Sequence, residues 1–254
     1  MTALDFSPAP GAAPATRRVL THARTEATLW LRNGEQLLLA LVIPIGILLG
    51  GRFFGERFGL DLAVTAPSVL GLALWSTGFT SLAIATGFER RYGVLERLAS
   101  TPLTPTGFLV GKAVALVWIA AGQVAVLGAV ALVLGWRPVL DPLAALVAVG
   151  AAGLGLVAYS SWGLILAGTL RAEITLALGN LIYLLMLAAG AVLVPLANYP
   201  GAVRPIVGAL PTAAVGEAFR TAAAGTPLWW TLPVLLVWAV LGLLIARKVF
   251  RWMS

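Results

Sequence analysis

The sequence contains no cysteine, a single histidine and few charged residues, and each shortage excludes a class of function. Without cysteine there are no disulfides or thiolate metal sites, and one histidine cannot form a metal-binding cluster. Only 11% of the 254 residues are charged, whereas a soluble domain needs about a quarter to cover its surface. Hydrophobic residues make up 60%, and the mean hydropathy is +0.96. A surface that faces lipid is the simplest explanation.

The sequence also provides no motif for nucleotide binding or catalysis. The stretch GFLVGKA at 107–113 is one residue short of a phosphate-binding loop and lacks its hydroxyl residue. A serine, histidine and aspartate triad is not plausible, because the only histidine is His22 near the N-terminus. We therefore expect no catalytic residue, no metal and no cofactor bound by this chain, and a membrane enzyme ranks low among the possible functions.

Six stretches of the chain lack charged residues, and their lengths indicate membrane spans. They cover 36–51, 62–88, 113–136, 142–170, 174–203 and 221–246. A hydrocarbon core of about 30 Å needs about 20 helical residues, and only the first run, with 16 residues, is shorter. Arg52 at its end can extend to the headgroups. The pattern predicts an all-α integral membrane protein with six transmembrane helices.

These spans are expected in one transmembrane domain that follows a short tail. The domain covers 17–251, and residues 1–16, which are rich in proline and alanine, are expected to be a disordered cytoplasmic tail. The predicted spans lie at approximately 35–52, 63–87, 110–134, 143–169, 174–196 and 228–246.

The basic residues divide unevenly between the two sides of the membrane. With six spans both termini lie on one side, which receives 12 basic residues against 5 on the other. The larger set is Arg17, Arg18, Arg24, Arg32, Arg90, Arg91, Arg97, Lys112, Arg171, Arg247, Lys248 and Arg251. The positive-inside rule places this side, with both termini, in the cytoplasm. Topology thus explains the net positive charge without a nucleic-acid partner.

Residues 16–33 are predicted to form an amphipathic helix at the membrane interface. Val19, Ala23 and Trp30 recur at helical spacing, while charged residues occupy the remaining arc. Thr16 is expected to cap the helix. His22 falls on the polar side, where we expect it to be solvated. The helix is either a general membrane anchor or part of a coupling device.

Residues 88–99 are predicted to form a second amphipathic helix, which ends at Ser100–Thr101 because of Pro102. Pro105 is then expected to keep the chain out of helix until about residue 107. The helix has an apolar face and a face with charges of both signs, which suits a protein groove better than lipid alone. An ordinary surface helix is the alternative. The predicted docking residues are Phe88, Glu89, Arg90, Arg91, Tyr92, Leu95, Glu96, Arg97 and Leu98.

The stretch ERRYGVLERLASTPLTPTGFLVGK resembles the cytoplasmic loop of ABC-2 type transporter permeases. The residues that match are Gly93, Leu95, Glu96, Arg97, Leu98, Thr101, Pro102, Leu103, Gly111 and Lys112. The resemblance extends in order and spacing over roughly 17–251. It implies a multi-pass permease of the plasma membrane whose loop is a coupling helix that docks on an ATPase, and whose N-terminal helix is the family's connecting helix.

The segment before the last span is apolar but broken by prolines. Two short helices, at roughly 202–209 and 212–223, are expected to dip into the membrane from outside as re-entrant helices. Glu217 and Arg220 are spaced to pair. The segment is either an outer gate, formed by Pro205, Pro211, Glu217 and Arg220, or an interfacial hairpin. Gln123, Asn180 and Tyr183 are candidates either to line a pathway or to bond neighbouring spans.

The leading hypothesis is the permease subunit of an ATP-driven exporter. It would pair with a second permease, identical or homologous, with two separate ATP-binding subunits that hold ATP and magnesium, and with membrane lipid. A drug, antibiotic, lipid or glycolipid is the expected kind of substrate by resemblance. The alternative is a stand-alone membrane carrier or scaffold without an ATPase partner. No ionisable residue lies at the centre of a span, which disfavours a carrier driven by an ion gradient.

Overall fold

The computed structural model describes residues 11–58 and 61–250, apart from the side chains of 35, 39 and 56–58. Within these ranges the chain forms helices and no strand. In chain order they are α1 Ala15–Arg32, α2 Gly34–Leu37, α3 Ile43–Phe58, α4 Leu62–Trp75, α5 Leu82–Arg91, α6 Val94–Ala99, α7 Pro105–Val133, α8 Pro142–Thr169, α9 Ala172–Ala189, α10 Arg204–Gly208, α11 Pro211–Ala223 and α12 Thr231–Val249.

Two π-helical segments join helices end to end, so that the chain runs through them without a turn. Leu38–Val42 connects α2 to α3, and Ser76–Ser81 connects α4 to α5. A π-helix contains one more residue per hydrogen-bonded turn than an α-helix. The first of these segments ends two residues before Pro44.

Five helical stretches in the described part of the chain are long and apolar enough to cross a membrane. They are Leu62–Arg91, Pro105–Val133, Pro142–Thr169, Ala172–Ala189 and Thr231–Val249. A sixth apolar stretch, Ala40–Gly55, is shorter. The predicted all-α membrane class is confirmed, and a sixth crossing stays a prediction.

The continuous helix α4–α5 is the centre of the bundle. Within its most apolar stretch 72% of the residues are buried, whereas the other four candidate spans are buried by less than half. It packs against α7, α8, α9 and α11. Small residues allow the close approaches elsewhere in the bundle: a Cβ on Gly155 of α8 would lie 2.7 Å from Val215 of α11. The helices that surround α4–α5 present apolar side chains outward, as a lipid-facing bundle requires.

Several predicted boundaries were wrong. Helix α1 begins at Ala15 after Pro14, so Thr16 lies inside the helix and caps nothing. Helix α7 begins at Pro105 itself, because Thr104 is its cap and proline suits the first helical position. The fifth apolar helix ends at Ala189, and irregular chain follows instead of helix to residue 196. Residues 1–10 of the predicted tail, and residues 59–60 and 251 of the predicted domain, lie outside the described residues.

Candidate functional site

The predicted docking helix is broken in the middle. Helix α5 ends at Arg91, a turn occupies Tyr92 and Gly93, and α6 runs from Val94. Gly93 has φ +65°, the left-handed conformation in which glycine commonly ends a helix. Arg97 closes the turn by donating hydrogen bonds to the carbonyl oxygens of Gly93 and Tyr92. The prediction of one continuous helix over 88–99 was therefore wrong, although α6 does end before Ser100 as expected.

The break divides the predicted apolar face between the interior and the surface. Leu95 is 4% exposed and packs inside the chain itself, so it is not available to a partner. Tyr92 is 63% exposed, and its ring stacks on the ring of Phe88 with centroids 6.0 Å apart. Glu96 and Leu98 are half-buried, whereas Arg97 is exposed. The surface available at this turn consists mainly of Tyr92, Arg97 and the exposed residues 99–102.

Two predicted docking arginines bind other helices of the same chain. Arg90 donates hydrogen bonds to the carbonyl oxygens of Ala167 and Leu170 at the end of α8. A cation at this position also interacts favourably with the negative end of the helix dipole. Arg91 forms an ion pair with Glu173 in the first turn of α9. The end of α5 is therefore fixed to both α8 and α9.

Lys112 forms a buried ion-pair cluster with two carboxylates from other helices. Its Nζ lies 2.8 Å from Glu26 Oε2 of α1 and 2.8 Å from Glu89 Oε1 of α5. The lysine side chain is 4% exposed, and each glutamate side chain is 20% exposed. Good geometry is needed here, because the desolvation of buried charges is costly. Glu89 thus faces inward and pairs with Lys112, and its role in docking stays a prediction.

His22 extends this cluster on α1 and is buried, contrary to the prediction that it is solvated. It is 8% exposed, its ring stacks on Phe108 with centroids 5.1 Å apart, and its Nε2 lies 3.7 Å from Glu26 Oε1. Burial lowers the pKa of His22 below 6.5; Glu26 opposes this shift, and Lys112 adds to it. The prediction failed because α7 covers this side of α1.

Gly111 allows that approach of the two helices. A Cβ at this position would lie 2.5 Å from Cδ2 of His22, a distance that real contacts do not reach. Farther along α1, Arg18 donates a hydrogen bond to the carbonyl oxygen of Pro102 in the turn that leads to α7. Helix α1 is therefore held against α7 by close packing, by the Lys112 cluster and by a bond to the turn.

A cleft of about 160 Å³ lies beside the cluster. Its lining includes both carboxylates and Lys112, together with Trp30, Gln36 and Thr77. The cleft lies between α1, α2, the α4–α5 helix and α7, and apolar side chains such as Leu29, Leu116 and Ile119 form much of its wall beside these polar groups.

At the opposite end of the bundle, the predicted pair of Glu217 and Arg220 forms. Arg220 Nη2 lies 2.7 Å from Glu217 Oε1. The same guanidinium donates to the carbonyl oxygens of Ala191 and Val192 and to the hydroxyl of Ser68. These carbonyls belong to the irregular chain after α9, where no helical bond satisfies them, so that Arg220 substitutes for a regular helix end.

Glu217 and Pro211 make further bonds at this end of the bundle. Glu217 Oε1 also accepts the backbone N–H of Leu196 at 2.7 Å. Pro211 opens α11, and its carbonyl oxygen accepts the hydroxyl of Tyr159. Pro205 is the second residue of α10, which begins at Arg204. The two helices, α10 and α11, lie close to the predicted 202–209 and 212–223, and α11 packs against α4, α8 and α12.

The three candidate pathway residues lie on two helices, Gln123 on α7 and the other two on α9. Gln123 is buried, accepts the hydroxyl of Thr77 at 2.7 Å and donates to the carbonyl oxygen of Ala40 at 2.8 Å. In a regular α-helix the carbonyl oxygen of Ala40 would accept the backbone N–H of residue 44. Residue 44 is a proline without an N–H, so Gln123 supplies the missing donor. These bonds are those of a packing residue. Asn180 is exposed on α9, and Tyr183 is half-buried there.

Sequence reasoning missed the parts played by Glu26, Lys112 and Arg18. The available signal was a lysine next to a glycine at the start of an apolar span, because a cation there needs a partner. Its partners are distant in sequence, so the pairing needed the fold. Among the described residues no group of three or more histidine or acidic residues is arranged to hold a metal ion.

Apolar helices that surround one buried helix define an integral membrane protein. Charged side chains connect the loop between its second and third apolar helices to α8 and α9. The chain matches the family model described as ABC-2 type transporter over residues 17–223, and it belongs to that family. The match begins within α1 and ends with α11, so it includes both the Lys112 cluster and the Arg220 network. No curated protein sequence matches the chain.

Proposed function

We propose that this chain is the permease subunit of an ATP-driven exporter, energised by a separate ATP-binding subunit that docks on the turn at Tyr92–Pro102. Membership of the ABC-2 type transporter family supports a membrane subunit of an ABC transporter. The docking site and the direction of transport are the further steps of the proposal. In it the loop end of the bundle, with both termini, faces the cytoplasm of a cell whose plasma membrane holds the protein.

The observation that carries the proposal is the set of bonds between this turn and the rest of the bundle. Arg90 and Arg91 tie the end of α5 to α8 and α9, and Arg18 ties the turn after α6 to α1. A force applied to the turn is therefore transmitted to several helices at once.

The docking surface in this proposal is smaller than the sequence predicts. Because Leu95 and Glu89 face the interior, the partner would contact Tyr92, Arg97 and the exposed residues near Ser100. An exposed aromatic ring beside an exposed guanidinium suits a groove with an apolar floor and an acidic rim. The partner holds ATP and magnesium, and this chain supplies only the surface.

Transport in the proposed complex needs a second permease, identical or homologous, because a path between two bundles is wider than one bundle provides. The two ATP-binding subunits would push the two turns. The substrate class that fits apolar helices with a few polar side chains is a hydrophobic or amphipathic molecule, such as a drug, an antibiotic, a lipid or a glycolipid. The Arg220 network would close the path at the far end.

The test is co-purification of the tagged chain from native membranes, with mass spectrometry of every retained protein. We expect an ATP-binding subunit in stoichiometric amount. Tyr92→Asp places a charge on the exposed ring position and should lose that subunit. Trp229→Asp is the matched control, because Trp229 is 53% exposed and lies before α12, far from the turn in sequence.

Two outcomes would contradict the proposal. If the wild-type chain purifies alone, the protein is a stand-alone carrier or scaffold. If Tyr92→Asp retains the ATP-binding subunit as well as wild type, the turn is not the docking site. Size-exclusion profiles of both variants establish that each remains folded.

A further inference from the structure

A groove of about 610 Å³ lies between α7, α8 and α12, at the end of the bundle where α7 begins and α12 ends. Its lining is mostly apolar and includes Leu82, Leu109, Val157, Leu164, Leu243 and Phe250. The volume falls in the range of about 300–1,000 Å³ that is typical of sites for small ligands. The permease proposal does not use this groove.

The groove opens on the side of the bundle that carries exposed apolar side chains. Val110 of α7 is 45% exposed, and Leu243 of α12 is 41% exposed. In a membrane both belong to the lipid-facing surface. An apolar groove with such walls is filled by hydrocarbon, because water there would lose hydrogen bonds. The apolar walls favour hydrocarbon in general and do not select one molecule.

The charged side chains of the groove provide a selection among the molecules that could fill it. Two cations line the groove, and they differ in their partners. Lys112 is already held by Glu26 and Glu89. Arg247, in the last turn of α12, is exposed, and within residues 11–58 and 61–250 it has no acidic partner. The hydroxyl residue Thr106 lies on the wall formed by α7.

We infer that the groove binds one anionic phospholipid, with an acyl chain along the apolar walls and the phosphate against Arg247. A guanidinium binds phosphate oxygens in a bidentate manner, which a lone ammonium does not. The leaflet is the one at the loop end of the bundle, which is the anionic cytoplasmic leaflet in the proposed topology. The bound lipid would brace α7 against α12 beside the start of α7, where the turn and the Lys112 cluster meet.

The inference predicts a preference among headgroups. Phosphatidylglycerol offers a phosphate with no cation of its own, whereas the choline of phosphatidylcholine competes with Arg247. The expected preference is about tenfold in affinity, which corresponds to about 1.4 kcal/mol. One such lipid is expected per chain.

The test is native mass spectrometry of the delipidated protein in mild detergent, titrated with dioleoylphosphatidylglycerol or dioleoylphosphatidylcholine. Wild type should retain one phosphatidylglycerol per chain with about tenfold preference over phosphatidylcholine. Arg247→Gln should lose the preference, whereas Lys248→Gln, the adjacent exposed cation, should keep it. Ala113→Trp should fill the groove and abolish retention of the tightly held lipid, whereas Ala188→Trp on the exposed face of α9 should not.

Each contrary result overturns the inference. If wild type retains the two lipids equally, the groove does not select an anionic headgroup. If Arg247→Gln keeps the preference for phosphatidylglycerol, this arginine does not bind the phosphate. If Lys248→Gln loses as much of the preference as Arg247→Gln does, diffuse surface charge and not a site is responsible. Retention that Ala113→Trp leaves intact would place the lipid elsewhere. None of these readouts depends on transport or on an ATP-binding partner.

Discussion

Lys112 of α7 and Glu26 of α1 form an ion pair of 2.8 Å between positions 86 residues apart in the chain. The same ammonium group reaches Glu89, 23 residues away on α5. One buried cation therefore joins three helices. Movement of any of the three must either carry the other two along or break a pair that is largely shielded from water.

Replacing Lys112 by methionine should destabilise the protein, because it leaves two carboxylates without their cation. Loss of one partner of a buried pair costs about 3–5 kcal/mol, and we expect about 3 kcal/mol because both glutamates are a fifth exposed. Thermal unfolding in detergent measures the loss. Lys248→Met, at an exposed position, should change little, and Glu26→Gln with Glu89→Gln should restore much of the stability of Lys112→Met. If Lys112→Met unfolds at the same temperature as wild type, the cluster contributes nothing to stability.

Gly111→Val should separate α1 from α7, because the added side chain would overlap the ring of His22. The chain has no cysteine, so a pair introduced as Val19→Cys and Gly107→Cys reports the contact without background. A Cβ at Gly107 lies 3.5 Å from the nearest methyl of Val19, within disulfide reach. Crosslinking should fall several-fold in Gly111→Val.

The matched control for this variant is Gly122→Val on the same helix, where a Cβ meets nothing within 4 Å. It should crosslink as wild type does. His22→Ala should restore crosslinking in Gly111→Val by removing the ring. Equal crosslinking in the two valine variants would contradict the close packing of His22 on Gly111.

Acidification should loosen α1 through His22. Because burial lowers the pKa of His22 below 6.5, the detached helix binds more protons than the docked one as the pH falls. The contribution of His22 to the docking of α1 on α7 is fully present above about pH 6.5. It is lost as the pH falls through the lowered pKa of His22. The charged groups that face the ring are Glu26 of the same helix and Lys112 of α7, with Glu89 of α5 behind them.

Hydrogen exchange of the α1 backbone measures this effect. Wild type and His22→Phe are compared at the same pH, so that the intrinsic exchange rates cancel. The protection of α1 should decrease between pH 7.5 and pH 5 in wild type and stay constant in His22→Phe, which keeps an aromatic ring against Phe108. A decrease of the same size in both proteins would assign the pH dependence to other groups.

At the opposite end, Arg220→Met should open the segment after α9. It removes the donor from the carbonyls of Ala191 and Val192 and the cation from Glu217. We expect about 3–5 kcal/mol of lost stability and a greater leak of small ions through reconstituted vesicles. Glu217→Gln should have a milder effect, since its amide oxygen can still accept the N–H of Leu196.

Arg204→Gln is the control for this end, because Arg204 is an exposed cation on the neighbouring α10 that donates to the carbonyl oxygens of Ala197 and Tyr199. It should leave the leak unchanged. If vesicles that contain Arg220→Met leak ions no faster than vesicles that contain Arg204→Gln, the network stabilises the fold without closing a path.

The sequence was sufficient to predict the apolar helices, since length and absence of charge are local properties. The Glu217–Arg220 pair was also predictable, because both residues lie on one helical turn. The orientation of Glu89 and Arg90 was not: a helical wheel places both on the polar side, but α1, α7 and α8 cover that side. The break after α5 had a local signal in Gly93, which the regular apolar spacing of the neighbouring residues obscured.

The π-helical segment Ser76–Ser81 sets the rotational phase of everything that follows it in the same helix. One extra residue turns the remainder of a helix by about 100° relative to an uninterrupted α-helix. Without it Arg90 would point away from the carbonyls of α8, and Glu89 away from Lys112. The angular position of the turn at Tyr92 is thus encoded about three helical turns earlier, in the number of residues between Trp75 and Leu82.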